Sequence, residues 1–265
     1  MALPIKLTER FSSGIKRFQP ILAAAKARDV GEADTSTIVK DILSDLFGYD
    51  KYSEITAEFQ IKSTYCDLAI KLDGKLHILI EVKSIGSDLK DAHAKQAVDY
   101  AANQGVEWVV LTNGMTWRVY RVIFAQPISQ ELVVEWDFCN LSPRNTDHLD
   151  TLHLLSKEGH CKSLLDDFHE QKQAMSRFFL GALIVSQPVL DVMRRELKRM
   201  SPGVKIDTTE IEAVLIQEVI KREVFEGDKA SEAKRKFARA QAKAATPKMA
   251  KAAPEEKPAE NAEPE

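Results

Sequence analysis

The chain has 265 residues, 44 % hydrophobic and 29 % charged, with a formal net charge of −3. That fits a soluble globular core with an accessory segment and argues against strong non-specific affinity for polyanions. No run of 18 apolar residues is present, which excludes a membrane-spanning helix, and Cys66, Cys139 and Cys161 lie far apart without zinc-ligand spacing. Reduced thiols in a cytoplasmic protein are expected, and the opening MALPIKLTERF lacks the apolar core and cleavage site of a secretion signal.

Residues 1 to 30 read as a helical segment, with Phe11, Ile15, Phe18 and Ile21 at helical spacing and Pro20 as an interruption. A second helix is expected from about Asp34 to Thr37, where Asp or Thr can cap free amides. Val39, Ile42, Leu43, Leu46 and Phe47 form its apolar stripe, and Gly48 ends it as a left-handed residue. Ile55–Ile61 looks extended. YCDLAIKL and KLHILIEVK then form two strand-like runs around Asp73-Gly74, a hairpin signal. Ser87 caps a predicted helix from Asp88 to Gln104, closed by Gly105. VEWVVLT and TWRVYRVIF read as strands on either side of Asn113-Gly114. The order αβββαββ gives an α/β class, with a mixed central sheet flanked by helices over residues 31 to 141. Residues 142 to 227 show helical periodicity broken at Pro202-Gly203, a helical accessory region. From 228 to 265 Ala, Lys, Glu and Pro dominate, and a disordered charged tail is expected.

The chemistry concentrates on the hairpin. Side chains alternate along a strand, so His77, Leu79, Glu81 and Lys83 share one face, and Ile78, Ile80 and Val82 form an apolar core face. A three-residue loop Asp73-Gly74-Lys75 pairs positions summing to 148. It sets Asp67 opposite Glu81, with Cβ atoms roughly 5 Å apart. A two-residue loop would instead turn Asp67 toward the core, where a carboxylate is costly, so the longer loop is expected. Two adjacent carboxylates repel unless one is protonated or a cation joins them. Oxygen ligands suit Mg²⁺ or Mn²⁺, and Lys83 beside such an ion can position or deprotonate a water.

The segment DLAIKLDGKLHILIEVK resembles the D…ExK motif of PD-(D/E)xK nucleases. Gln96 and Tyr100, four apart on the next helix, resemble the Q-x-x-x-Y element of type I restriction R-subunit N-terminal domains. EADTSTIVKDILSDLFGYD resembles the opening of those domains, and VVLTNGMTWRVYR their later strand pair. The resemblance spans roughly residues 32 to 121. It implies a restriction-endonuclease-like core that hydrolyses phosphodiester bonds in DNA. Asp67 and Glu81 would be metal ligands, the Val82 carbonyl a third, and Glu32 a helix-borne acid completing the site. Lys83 would be the catalytic lysine, and Gln96 and Tyr100 would orient its end of the site or contact a phosphate. It further implies DNA, restriction or defence-system proteins and a second copy of the chain as partners. R subunits continue into an ATP-driven motor; this sequence has no G-x-x-x-x-G-K-[ST] loop, so a stand-alone module is expected.

Plainer readings exist for each signal. Asp67, Glu81 and Lys83 can form a surface ion pair at a sheet edge, and Gln96 with Tyr100 can be ordinary helix packing. Glu32 can act on the helix dipole alone. His77 and His93 fall outside the motif. His148, His153, His160 and His169 read as surface residues, and Trp108 and Trp117 as core. A rival function is a catalytically silent DNA-binding module, or a regulatory or partner-binding one, that keeps the fold.

Overall fold

The computed structural model describes residues 3–61 and 64–245. Its centre is one six-stranded sheet in the order β1-β2-β3-β4-β5-β6: Ile55–Ile61, Thr64–Leu72, Lys75–Val82, Trp108–Thr112, Thr116–Ile123 and Ser129–Asp137. Neighbours run antiparallel except β3 and β4, which are parallel and joined by helix α3 as a crossover. The helices before the sheet are α1 (Ile5–Ala27) and α2 (Glu32–Asp41); α3 is Asp91–Gln104. The expected α/β core is present, and β6 is an addition.

Both faces of the sheet are covered, as a parallel connection requires. Ile78, Ile80, Val82, Val110 and Trp117 pack with Phe11, Ile15 and Phe18 of α1 and with Val39, Ile42 and Leu46. Leu79, Val109, Leu111 and Tyr120 pack under Ala94, Ala97, Val98 and Ala101 of α3. The alanines let that helix sit close to the strands. The face that carries Leu79 and Glu81 is therefore interior as well.

Local outcomes differ from the sequence expectations in instructive ways. Pro20 lies inside α1 without ending it, and Leu22 is buried where Ile21, 38 % exposed, was expected. The start of α2 is Gly31, with no side-chain cap; the stripe then continues through a π turn at Ile42–Leu46. Gly48 follows at φ +84° and Gly74 closes the hairpin at φ +75°, both in the region glycine favours. α3 starts after Lys90, and no cap from Ser87 forms; Ser87 Oγ meets Ser84 Oγ at 2.6 Å.

The hairpin turn has two residues, because Leu72 pairs with Lys75. A bulge then corrects the register: Lys71 pairs with Leu76, but Ile70 pairs with Ile78, leaving His77 extra. Beyond it, Ala69↔Leu79 and Leu68↔Ile80 sum to 148. Carried one step past Leu68↔Ile80, that register would set Asp67 across from Glu81, through the bulge and not through the longer loop expected.

After β6 come α4 (Thr146–Leu155), α5 (Lys157–His160), α6 (Leu164–Ala174), α7 (Arg177–Ile184), α8 (Gln187–Met200), α9 (Thr208–Val214) and α10 (Asp228–Ala245). The chain forms two compact units, 1–169 and 170–265, divided within α6. The sequence boundaries at 30 and 141 do not coincide with that division. Leu7 to Ala25 of α1, and Leu149, Leu152, Leu155 and Leu165 after the sheet, belong to the first unit's core. In the second unit, Ala182, Leu190, Val224, Ala230 and Ala233 are buried. Residues 228 to 245, expected to be disordered, are helical: Ala, Lys and Arg favour helix, and Phe237 meets Phe179 of α7 edge-on. The remainder of the expected tail, 246–265, lies outside the described residues. None of the described helices is long and apolar enough to cross a membrane.

Candidate active site

β3 carries Glu81 into the interior and delivers Lys83 one residue past its end. Lys83 N donates to Thr112 O at 2.8 Å, extending the parallel pairing and fixing the lysine backbone. Asp67, on β2, accepts from Val82 N through Oδ2 at 2.7 Å. Lys83 Nζ donates to Glu81 Oε1 at 2.8 Å and lies 3.5 Å from Glu32 Oε2 at the start of α2. Four of the expected site residues (Glu32, Asp67, Glu81, Lys83) thus meet at one end of β3, with the Val82 peptide between them.

Glu81 is the most buried of these acids, its residue 3 % exposed. Among the described residues, its Oε2 is buried without a hydrogen-bond partner. An orphaned carboxylate oxygen costs free energy comparable to a lost hydrogen bond or more. Burial raises the Glu81 carboxyl above its ordinary range, the Lys83 hydrogen bond opposes that, and the Asp67 charge adds to it. Burial raises the Asp67 carboxyl too, against the lowering effect of the Val82 amide. For Lys83, burial works to lower the ammonium, but Glu81, Glu32 and Asp67 outweigh it and the net direction is up. The lysine is a held cation.

The position of Glu32 has a cause that the sequence reading missed. Thr35, fully buried on α2, donates through Oγ1 to Gly31 O at 2.8 Å and accepts from Ile85 N at 3.1 Å. That pair of bonds pins the start of α2 to the segment just after Lys83. The motif letters held Thr35, but a helix-capping role hid its cross-chain bond. The turn after β4 braces the same region. Thr112 Oγ1 accepts from Gly114 N and donates to Thr116 O, and Asn113 Nδ2 donates to Ser87 O at 2.9 Å. Trp117 Nε1 donates to Gly114 O at 2.9 Å.

Gln96 and Tyr100 share a face of α3, as their spacing predicts, and bond each other: Gln96 Nε2 donates to Tyr100 Oη at 2.8 Å. Gln96 is exposed, and no hydrogen bond joins either residue to Asp67, Glu81 or Lys83 among the described residues. His77 and His93 are likewise engaged elsewhere. His77 lies edge-on to His160 with ring centroids 4.8 Å apart, and His93 Nδ1 accepts from Lys90 N. The later histidines are not simple surface residues: His153 is 8 % exposed and meets Ser156 Oγ, His148 accepts from Ser142 N, and His169 meets Glu131. Trp108 and Trp117 are core. All three cysteines are free, and burial pushes the Cys66 thiol up to about 12.

Among the described residues, no group of three or more His, Cys, Asp or Glu side chains is arranged to hold a metal ion. The oxygen-bearing side chains at the end of β3 are the Asp67 and Glu81 carboxylates and, on the far side of Lys83, Glu32. No curated protein and no solved structure matches the chain. A family model does: it covers residues 38–132, a span that includes Asp67, Glu81, Lys83, Gln96 and Tyr100 and begins after Glu32. Over that segment the chain is similar to the family described as the type I restriction enzyme R protein N terminus (HSDR_N).

Proposed function

We propose that the end of β3 is the active centre of a Mg²⁺- or Mn²⁺-dependent DNA endonuclease of the restriction type. The observation that carries this is the unpartnered, buried Glu81 Oε2 beside Asp67. A carboxylate oxygen in that position calls for a cation. The all-oxygen donor set suits a hard divalent ion, and Mg²⁺ is commonly held by one or two carboxylates while keeping several waters. The want of a three-side-chain cluster is compatible with such a site. Asp67, Glu81 and the Val82 carbonyl would hold the ion, with Glu32 reaching it through water.

When bound, the cation supplies polarisation of a phosphoryl oxygen and a lowered pKa for water. The chain's own groups do the rest. Lys83, held by Glu81 and near Glu32, donates hydrogen bonds and offsets the negative charge that develops on the phosphate. Glu81 and Glu32 fix the direction of its ammonium group. Gln96 and Tyr100, tied together on α3, are proposed to contact a phosphate of the same strand instead of the lysine. DNA is the proposed substrate, a second copy of the chain the proposed partner for double-strand cutting, and a restriction or defence system the proposed setting.

The test is supercoiled DNA incubated with protein and Mg²⁺ or Mn²⁺. Wild type should nick or linearise it, and Lys83→Ala should slow the reaction about 100-fold or more. Equal cutting by the two proteins would assign the cleavage to another source.

A further inference from the structure

The last described helix of the second unit, α10, carries a charge that runs against that of the chain as a whole. α10 carries Lys229, Lys234, Arg235, Lys236, Arg239 and Lys243 against only Asp228 and Glu232, in a protein of net charge −3. Its apolar side is already occupied. Ala230 and Ala233 are buried, and the Phe237 ring stands edge-on to Phe179 of α7, centroids 5.4 Å apart. These positions, at i, i+3 and i+7, make one stripe. Two of the cations have local partners: Lys236 meets Glu232 at 2.9 Å, and Lys234 lies over the Phe225 ring at 5.6 Å. Arg235 and Arg239 are exposed on the side away from the stripe, and neither has an acidic partner among the described residues.

We infer that α10 is a nucleic-acid-backbone grip, with the exposed Arg235–Arg239 edge taking phosphates of a DNA strand without regard to base sequence. The two guanidiniums are one helical turn apart, roughly 6 Å along the axis. A DNA strand offers one charge per ~3.4 Å of duplex axis, so each arginine can engage its own phosphate. The planar fork of arginine suits two phosphate oxygens at once. A membrane surface fits less well, because the apolar face it would need is packed on α7. A protein partner fits less well too: the arginine side displays Ser231, Ala238 and Ala242, and no large apolar side chain to anchor an interface. This binding goes beyond the nuclease reading, because it needs neither a metal ion nor the carboxylates on β2 and β3.

The test uses the full chain and a short labelled duplex in EDTA, with binding measured across a salt series. Arg235→Gln/Arg239→Gln should weaken binding on two duplexes of unrelated sequence alike. The slope of log affinity against log salt should flatten by about 1.8, at about 0.9 per phosphate contact. Far-UV circular dichroism should match wild type, since both side chains are exposed. An unchanged affinity and slope would overturn the inference. So would a loss confined to one duplex, or displacement of the DNA by poly-glutamate as effective as by unlabelled duplex at equal charge. EDTA removes any cleavage, so failure of the nuclease proposal, seen as no Lys83-dependent cutting, leaves this comparison untouched.

Discussion

Thr35 shows how a residue without a reacting group can decide where a reacting group sits. Its hydroxyl donates to Gly31 O and receives Ile85 N–H, the second bond fully buried. Thr35→Val keeps the shape and removes both bonds. The Ile85 amide is then buried and unsatisfied, which costs about 1–3 kcal/mol. Urea unfolding should show that loss, and DNA cleavage should fall with it as Glu32 loses its anchor near Lys83; unchanged stability would mean that water replaces the hydroxyl. His153 gives a second prediction, from its titration. Burial, assisted by Lys162, lowers its pKa below the ordinary 6.5. The unfolded chain therefore takes up the proton first as pH falls. The stability is present above about pH 6.5 and is lost as pH drops toward the folded value, with a slope of at most about 1.4 kcal/mol per pH unit per group. His160 shifts in the same direction, by burial and the neighbouring His77. Chemical denaturation at pH 7.5 and 5.5 should show the loss, and His153→Gln should shrink it. An identical loss in that variant would assign the effect to other groups.

At the scale of elements, the β2–β3 hairpin carries the site by a compensation. Its two-residue turn alone would set Asp67 one position out of register, and the extra residue His77 restores it. Deleting His77 removes the bulge and leaves a regular two-residue hairpin in which Asp67 still faces Glu81. The variant should fold and keep whatever Lys83-dependent cutting the wild type has; loss of both would show that the bulge sets more than register. A close approach gives the opposite lesson at Gly14 of α1. Alanine ordinarily favours a helix over glycine by about 1 kcal/mol. Here its Cβ would stand 2.6 Å from Leu46 Cδ1 and 3.1 Å from Leu46 Cβ, so the stem of that side chain has to move. Gly14→Ala should destabilise by about 1–2 kcal/mol in thermal or urea unfolding, the overpacking cost exceeding the propensity gain; a stabilised variant would mean that Leu46 finds another rotamer without loss. These devices mark what was legible in the sequence. The pairing of Asp67 with Glu81 followed from the cost of burying a carboxylate, a signal local to the strands. The bulge that achieves it did not, since nothing in KLHILIEVK marks His77 as extra. The strand β6 was hidden for the same reason: Val119 pairs with Val134 and Tyr120 with Leu132, so Val133 is inserted and breaks the alternation that identifies a strand. Thr35 and Ile85 are fifty residues apart, beyond the reach of any periodicity.

At the scale of the molecule, the two units differ in the means that hold them folded. The first buries a sheet on both faces, with Phe11, Phe18, Phe47, Trp117 and Phe138 almost wholly enclosed. The second encloses mostly small or lone side chains and leaves Met175, Val192, Met200, Val204, Val214 and Val219 each about half exposed or more. At about 25 cal/mol per Å² of apolar surface removed from water, the second has far less to set against the entropy of ordering its helices. It should melt first. All three tryptophans, Trp108, Trp117 and Trp136, lie in the first unit and are buried there, so their fluorescence reports on that unit alone. The helical signal at 222 nm reports on both, since α7, α8, α9 and α10 belong to the second. On heating, part of the helical signal should disappear at a lower temperature while tryptophan emission stays native, and the remainder should vanish together with the emission. Thr35→Val should lower only the later transition. Coincident curves from the two probes would mean that the chain unfolds as one cooperative body, and the small core of the second unit would then need stabilisation that its own contacts do not supply.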